Sequence, residues 1–229
     1  MTTLLLIHGA LGAAPQVAPL ADALRDTYDV HCVELRGHGD SPVAAGEFRI
    51  EYFAQDVREL MAARSIERAA IFGYSMGGYV ALYLAARSPE LVTSVATLGT
   101  KLAWTPDAAA RETSRLDAAT IRAKVPKFAE VLERRHAGAT GWEGVLANTA
   151  TLMRSLGDSP VVDAALLSNI PQRARLMVGD RDNVVSVDET LIAARTLASG
   201  DAAVLPSTPH PFEQVRIGLL AAMLRDFVR

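Results

Sequence analysis

Ala69-Ala70-Ile71-Phe72-Gly73-Tyr74-Ser75-Met76-Gly77 begins with an unbroken apolar run and ends with a serine two residues from each of two glycines. The run at 69–72 has the composition of a strand covered on both faces, as in a parallel sheet. Residues 78–87 are rich in Ala and Leu, contain no proline and stop at Ser88-Pro89, which reads as a helix with a clean terminator. A serine at such a strand-to-helix turn is held with its hydroxyl exposed. The flanking glycines are needed because the backbones pass too close for a Cβ. The N–H groups that open the helix also point toward any negative charge developing near the serine. Ser75 is therefore a candidate nucleophile, and the rest of the chain has to supply a base and an acid.

Outward from this turn the same alternation repeats. Residues 4–7, 30–35, 69–72 and 91–98 read as strands, and 15–25, 52–64 and 78–87 as helices between them. The helix at 15–25 carries Val17, Leu20, Ala21 and Leu24 on one face, and that at 52–64 carries Phe53, Val57, Leu60 and Met61. This βαβαβαβ order calls for an α/β fold: a doubly wound, mainly parallel sheet with helices on both faces. The pattern breaks at 101–172, where helical segments at 108–124, 126–136, 142–156 and 161–167 follow one another without a strand. It resumes with strands at 175–179 and 202–205 and helices at 188–197 and 212–228. Residues 1–100 and 173–229 are expected to form one core, with 101–172 an inserted helical cap or lid.

The 229 residues suit one large α/β domain, and a net charge of −3 gives no reason to expect nucleic acid or a membrane surface as partner. The single cysteine, Cys32, has no intrachain disulfide partner and lies in an apolar run, as a buried structural thiol would. The first apolar stretch has no basic flank and is cut at His8-Gly9, too short to span a bilayer. A soluble, cytoplasmic protein is expected.

A hydroxyl needs a hydrogen-bonded base, usually histidine, which is itself oriented by a carboxylate. In open α/β sheets the chemistry lies beyond the carboxyl ends of the strands, and this ranks the five histidines. His31 begins a strand, at the wrong end. His136, beside Arg134 and Arg135, reads as a solvated helix terminus. His8, His38 and His210 all follow strand ends, and the rigid Ser207-Thr208-Pro209-His210-Pro211 turn makes His210 the preferred base. For the acid, Asp180 and Asp182 both follow the fifth strand. A carboxylate directly after a strand tends to cap backbone amides, so Asp182 is preferred.

Together these residues resemble the α/β-hydrolase fold superfamily. His8-Gly9 is similar to its early His-Gly turn, Arg36-Gly37-His38-Gly39-Asp40-Ser41 to its Arg-Gly-x-Gly-x-Ser loop, and 73–77 to its nucleophile elbow. Gly179-x-x-Asp182 is similar to its acid turn and His210 to its late histidine, in the family's Ser, Asp, His order. The resemblance implies Ser75 as nucleophile, His210 as general base and then acid, and Asp182 as the group that fixes the imidazole tautomer. It implies an oxyanion hole from the backbone N–H groups of Met76 and Ala10, with Leu11 as second choice for the latter. His8 and His38 are left to fix their own loops. The chain departs from the family in lacking the usual first two strands, so about six parallel strands are expected, and in bracketing His210 with Pro209 and Pro211.

A serine at the elbow fits hydrolysis of a small carboxylic ester rather than the dehalogenase and epoxide hydrolase branches, which carry Asp there. The chain contains no metal-spaced cluster and no phosphate-binding glycine loop, so no metal or other cofactor is expected. Leu11, Tyr74, Trp104, Trp142 and Met153 are candidate substrate contacts, and the oligomeric state is unreadable. Two other readings stand beside the esterase. One is a lyase similar to that of menaquinone biosynthesis, which has arginine where this chain has Tyr79; the other is a catalytically silent ligand-binding protein.

Overall fold

The computed structural model describes residues 1–41, 48–138 and 141–228, which leaves Pro42 of the loop after the second strand outside the described residues. The apolar runs form β1 (Thr3–Ile7), β2 (Asp29–Val33), β3 (Ala69–Tyr74), β4 (Val92–Leu98), β5 (Arg173–Gly179) and β6 (Gly200–Leu205). They make one six-stranded sheet, parallel at every pairing, in the order β2-β1-β3-β4-β5-β6. Every residue of β3 is buried, as a central strand covered on both faces requires.

Alternation along β1 divides the core. Leu4 and Leu6 lie on the side of the sheet covered by α1 (Ala14–Leu24) and α10 (Ile217–Phe227), while Leu5 and Ile7 lie on the side covered by α2 (Ile50–Ala63), α3 (Met76–Arg87) and, farther along the sheet, α9 (Val187–Thr196). Each fully buried Leu or Ile contributes about 2 kcal/mol relative to exposure. The strand order reverses between β1 and β3, so the loops that leave these two strands flank the crevice where α/β sheets hold their ligands.

Among the described residues, five helices lie between β4 and β5: α4 (Pro106–Thr113), α5 (Ala118–Lys124), α6 (Pro126–Arg135), α7 (Gly141–Asp158) and α8 (Ala164–Ser168). The single helix expected at 108–124 is two. Ser114 turns its hydroxyl back onto Arg111 O, and Asp117 starts a new helix by accepting the Thr120 N–H. The helix expected at 212–228 is also split, into a 3-10 turn at Phe212–Gln214 followed by α10. Ile121, Ala129, Leu132, Trp142 and Leu146 of α5–α7 form a small core of their own. Ala109 of α4 meets Gly157 of α7, where two small residues let the helices approach closely. In contrast, α8 packs on α3 and α9. It returns the chain from the carboxyl end of β4 to the start of β5, the crossover that parallel strands need.

Cys32 is half-buried on the edge strand β2, and burial pushes its thiol pKa up. Among the described residues, no helix is long and apolar enough to cross a membrane.

Candidate active site

Ser75 stands where β3 gives way to α3, with φ 52° and ψ −117°. Such a conformation costs a non-glycine residue about 1–3 kcal/mol and persists only where its surroundings enforce it. Here the Ser75 N–H donates to Leu98 O at 2.8 Å, and the Thr100 hydroxyl donates to Ser75 O at 3.0 Å. A Cβ on Gly73 would collide with the Gly77–Gly78 peptide, and one on Gly77 with the carbonyls of Ile7 and His8. Both glycines are thus required by close backbone approach. Met76 is the first residue of α3, so its N–H has no intrahelical partner and sits at the positive end of the helix dipole.

The loops after β5 and β6 bring Asp182 and His210 together. Asp182 Oδ2 lies 2.8 Å from His210 Nδ1, and its Oδ1 accepts the N–H groups of Val184 and Val185, each at 2.8 Å. Burial alone would raise the Asp182 pKa, but the bond to His210 and the two amides hold it below the ordinary carboxylate value. With the shared proton on Nδ1, the His210 Nε2 carries a lone pair. Asp180 does something else: its Oδ1 accepts the Thr208 N–H at 3.1 Å and so ties the two loops together. Tyr74 donates its hydroxyl to His210 O at 2.8 Å and packs its ring 5.5 Å from the imidazole, with burial pushing the phenol pKa up. Gly99, at φ 63°, passes so close that a Cβ would lie 3.1 Å from Asp182 Oδ2 and 3.2 Å from His210 Nδ1.

The loop after β1 is held by the other buried imidazoles. His8 Nδ1 lies 2.8 Å from Gly9 O, and its Nε2 lies 3.0 Å from Glu34 Oε1 and 3.3 Å from Leu35 N. His38 Nε2 lies 2.7 Å from Ala10 O and Nδ1 lies 3.1 Å from Arg36 O. Burial, helped by the neighbouring His8, pushes the His38 pKa down to about 3. The ring is therefore neutral and has one N–H to offer these two carbonyls. His136 is not the solvated terminus expected from sequence. It is 1% exposed, accepts the Gly39 N–H on Nδ1 at 3.0 Å and donates Nε2–H to Leu11 O at 3.2 Å. Burial lowers its pKa. Three imidazoles thus bond to the carbonyls of three consecutive residues, Gly9, Ala10 and Leu11. Among the described residues no three His, Cys, Asp or Glu side chains are arranged to hold a metal ion.

A cavity of about 470 Å³ opens over these elements. Ala10, Leu11, Tyr74, Ser75, Met76 and His210 line it from the core, while Asp182 lies behind His210, its side chain only 2% exposed. Trp104, Met153, Leu152 and Leu156 line it from the segment between β4 and β5. Trp142 does not: it is buried in the small core of α5–α7 beneath the Arg122 guanidinium. Tyr79 also lines the cavity, and its hydroxyl accepts the Val162 N–H at 2.9 Å. Arg135 donates to Leu11 O and to Glu213 Oε1, each at 2.8 Å, joining α6 to the loop that carries His210.

A family model described as "alpha/beta hydrolase fold" matches residues 2–188. The chain belongs to that family. The pimeloyl-[acyl-carrier protein] methyl ester esterase of Neisseria meningitidis is 44% identical over 90 residues, 39% of this chain and 33% of the relative. The dihydrolipoyllysine-residue acetyltransferase component of an acetoin cleaving system from Cupriavidus necator is 38% identical over 94 residues, 41% of this chain and 25% of the relative. The matched stretch thus spans a third or less of these curated relatives. Among solved structures, a thermophilic esterase from Thermogutta terrifontis superposes with a TM-score of 0.81 at 24% identity, covering 100% of this chain and 90% of its own. An enol-lactonase from Burkholderia xenovorans gives 0.74 at 22% identity, covering 100% and 92%. Both share the alpha/beta hydrolase fold with this chain.

Sequence reasoning missed the supporting residues Gly99, Arg135 and His136, and it gave Tyr74 only a substrate-contact reading. Gly99 carried a signal, a glycine directly after a strand. Arg135 and His136 carried none, because both act on backbone carbonyls brought near by the fold.

Proposed function

We propose that the protein is a serine hydrolase of small carboxylic esters that works through an acyl-enzyme on Ser75. The observation that carries this reading is a single cavity lined by both a backbone-strained serine and an aspartate-bonded histidine. Asp182 fixes the tautomer that leaves His210 Nε2 free to accept the Ser75 hydroxyl proton. The oxygen attacks the ester carbonyl, and the resulting oxyanion is received by the N–H groups of Met76 and Ala10, each worth about 3 kcal/mol of barrier. Collapse expels the alcohol with the proton from Nε2. Water activated by the same nitrogen then releases the acid and restores the serine. The helices α4–α7 serve as the cap that selects the acyl group, while α8 belongs to the core. The methyl ester esterase relative, over the stretch it shares, supports the carboxylic ester class.

A fluorophosphonate probe and short p-nitrophenyl esters test the reading. Labelling at Ser75 and turnover that is lost in Ser75→Ala are expected. Unlabelled wild-type protein would indicate a binder, and labelling without turnover of any ester would indicate lyase-type chemistry.

A further inference from the structure

The cavity wall is mostly apolar, with Leu116, Ile121, Val125, Phe128 and Leu152 among its lining. The charged side chains that interrupt it are largely matched. Arg135 is paired with Glu213 at 2.8 Å and Arg115 with Glu112 at 3.4 Å. Lys101 is less fully used. Its ammonium donates to Val184 O at 3.1 Å, and its carboxylate neighbour, Glu189 Oε2, stands 4.0 Å away. The other oxygen of Glu189 already accepts the N–H groups of Leu102 and Ala103, at 2.6 and 2.7 Å. An ammonium has three donors, and this one lies on the cavity wall with a side chain only 13% exposed.

Beside it is Trp104, whose ring centroid lies 5.9 Å from Lys101 Nζ. The indole Nε1 is buried and has no acceptor among the described residues, although Trp104 also lines the cavity. A buried tryptophan N–H normally finds a partner, and leaving one unmet costs about 1–3 kcal/mol. A cationic donor on an otherwise greasy wall, with an unmet indole N–H enclosed beside it, offers the two donors that the oxygens of a carboxylate would take. The pair is also close to the chemistry along the chain. Thr100, the residue before Lys101, donates to Ser75 O, and Val184, which Lys101 grips, donates its N–H to Asp182 Oδ1.

We infer that Lys101 and Trp104 form a subsite for a carboxylate on the substrate, so that the ester hydrolysed is a half-ester of a short dicarboxylic acid. This rests on the esterase reading above. No new bond chemistry is involved: the distal carboxylate is bound and the ester end is cleaved.

The test compares monomethyl glutarate with methyl valerate, which has the same chain length but ends in a methyl group, and with the matching ω-amide methyl ester. Wild-type kcat/KM is expected to favour the half-ester over both by about tenfold or more, as one charge-assisted hydrogen bond provides. In Lys101→Met that preference is expected to collapse to near unity, mainly through KM, and in Trp104→Phe to shrink several-fold. Equal use of half-ester and methyl valerate by the wild type, an amide that matches the half-ester, or a preference that survives Lys101→Met would each overturn the subsite. Free glutarate gives a readout independent of turnover. It should raise the melting temperature of the wild type and not of Lys101→Met. Stabilisation of both proteins, or of neither, would overturn the subsite. Absence of fluorophosphonate labelling and of all ester turnover would instead mark failure of the esterase reading.

Discussion

On the cavity wall His210 faces a carboxylate, while behind the loop after β1 His38 and His136 face carbonyl oxygens. The first arrangement supports a charged imidazole, because Asp182 is ionised and its own charge is spread over two amides. The second disfavours charge, because burial lowers the pKa of His136 and holds His38 at about 3. The same side chain therefore does two jobs. Paired with a carboxylate, it can carry a proton through a cycle. Buried among carbonyls, it stays neutral and acts as a bracket that fixes which way the peptide groups of residues 9–11 point. A backbone oxyanion donor needs such brackets, since its N–H is aimed only as well as the carbonyls around it.

The comparison breaks most visibly at the proton-carrying corner. Asp182→Asn offers His210 an amide in place of a carboxylate, and kcat is expected to fall by about 10³- to 10⁴-fold in ester assays. A loss of only a few-fold would mean that Asp182 is not the orienting acid. At the bracketing corner, His136→Ala removes the donor to Leu11 O and the acceptor for Gly39 N. Misplacement of an oxyanion donor costs about 10- to 100-fold, so kcat should drop by that amount with KM little changed, and His136→Gln should recover part of it. If His136→Ala changes KM alone, the bracket has no bearing on the transition state.

Acid should separate the corners in a different way. His38 titrates near 3 in the folded state against 6.5 ordinarily, so within that window the unfolded chain binds more protons. The free energy of unfolding must then rise with pH, with on the order of a few kcal/mol lost between pH 7 and pH 4. His136, also lowered, acts in the same sense, and Asp182 adds a loss at lower pH. Urea titrations at pH 7 and 5 measure this, and equal midpoints would contradict buried neutral rings. The smallest effect belongs to Asp180→Asn, which weakens one bond to Thr208 N for about 1 kcal/mol. Activity should stay within a few-fold of wild type.

Much of the fold was legible because its signals are local. Apolar runs, a Ser-Pro stop and paired glycines mark the strands and the elbow without reference to distant residues, and the parallel sheet follows from their order. The break at Ser114–Asp117 was not legible, because Ala-rich flanks mask a capping aspartate. Nor was the burial of His136, which looks solvent-facing beside two arginines and becomes a bracket only once α6 lies against the loop after β1. Trp142 shows the same limit: an aromatic residue on a helix looks alike whether it faces a ligand or its own helix's neighbours.

The crossover role of α8 has a consequence for descent. Helices α4–α7 enter and leave without serving any strand, so a lineage can rewrite them while the sheet is inherited unchanged. One debt follows every rewrite. Whatever replaces α6 must again present a donor to Leu11 O, as His136 and Arg135 do now. Pocket divergence is thus free in most directions and tethered in one, and homologues with unrelated caps should be found solving that single contact with different side chains.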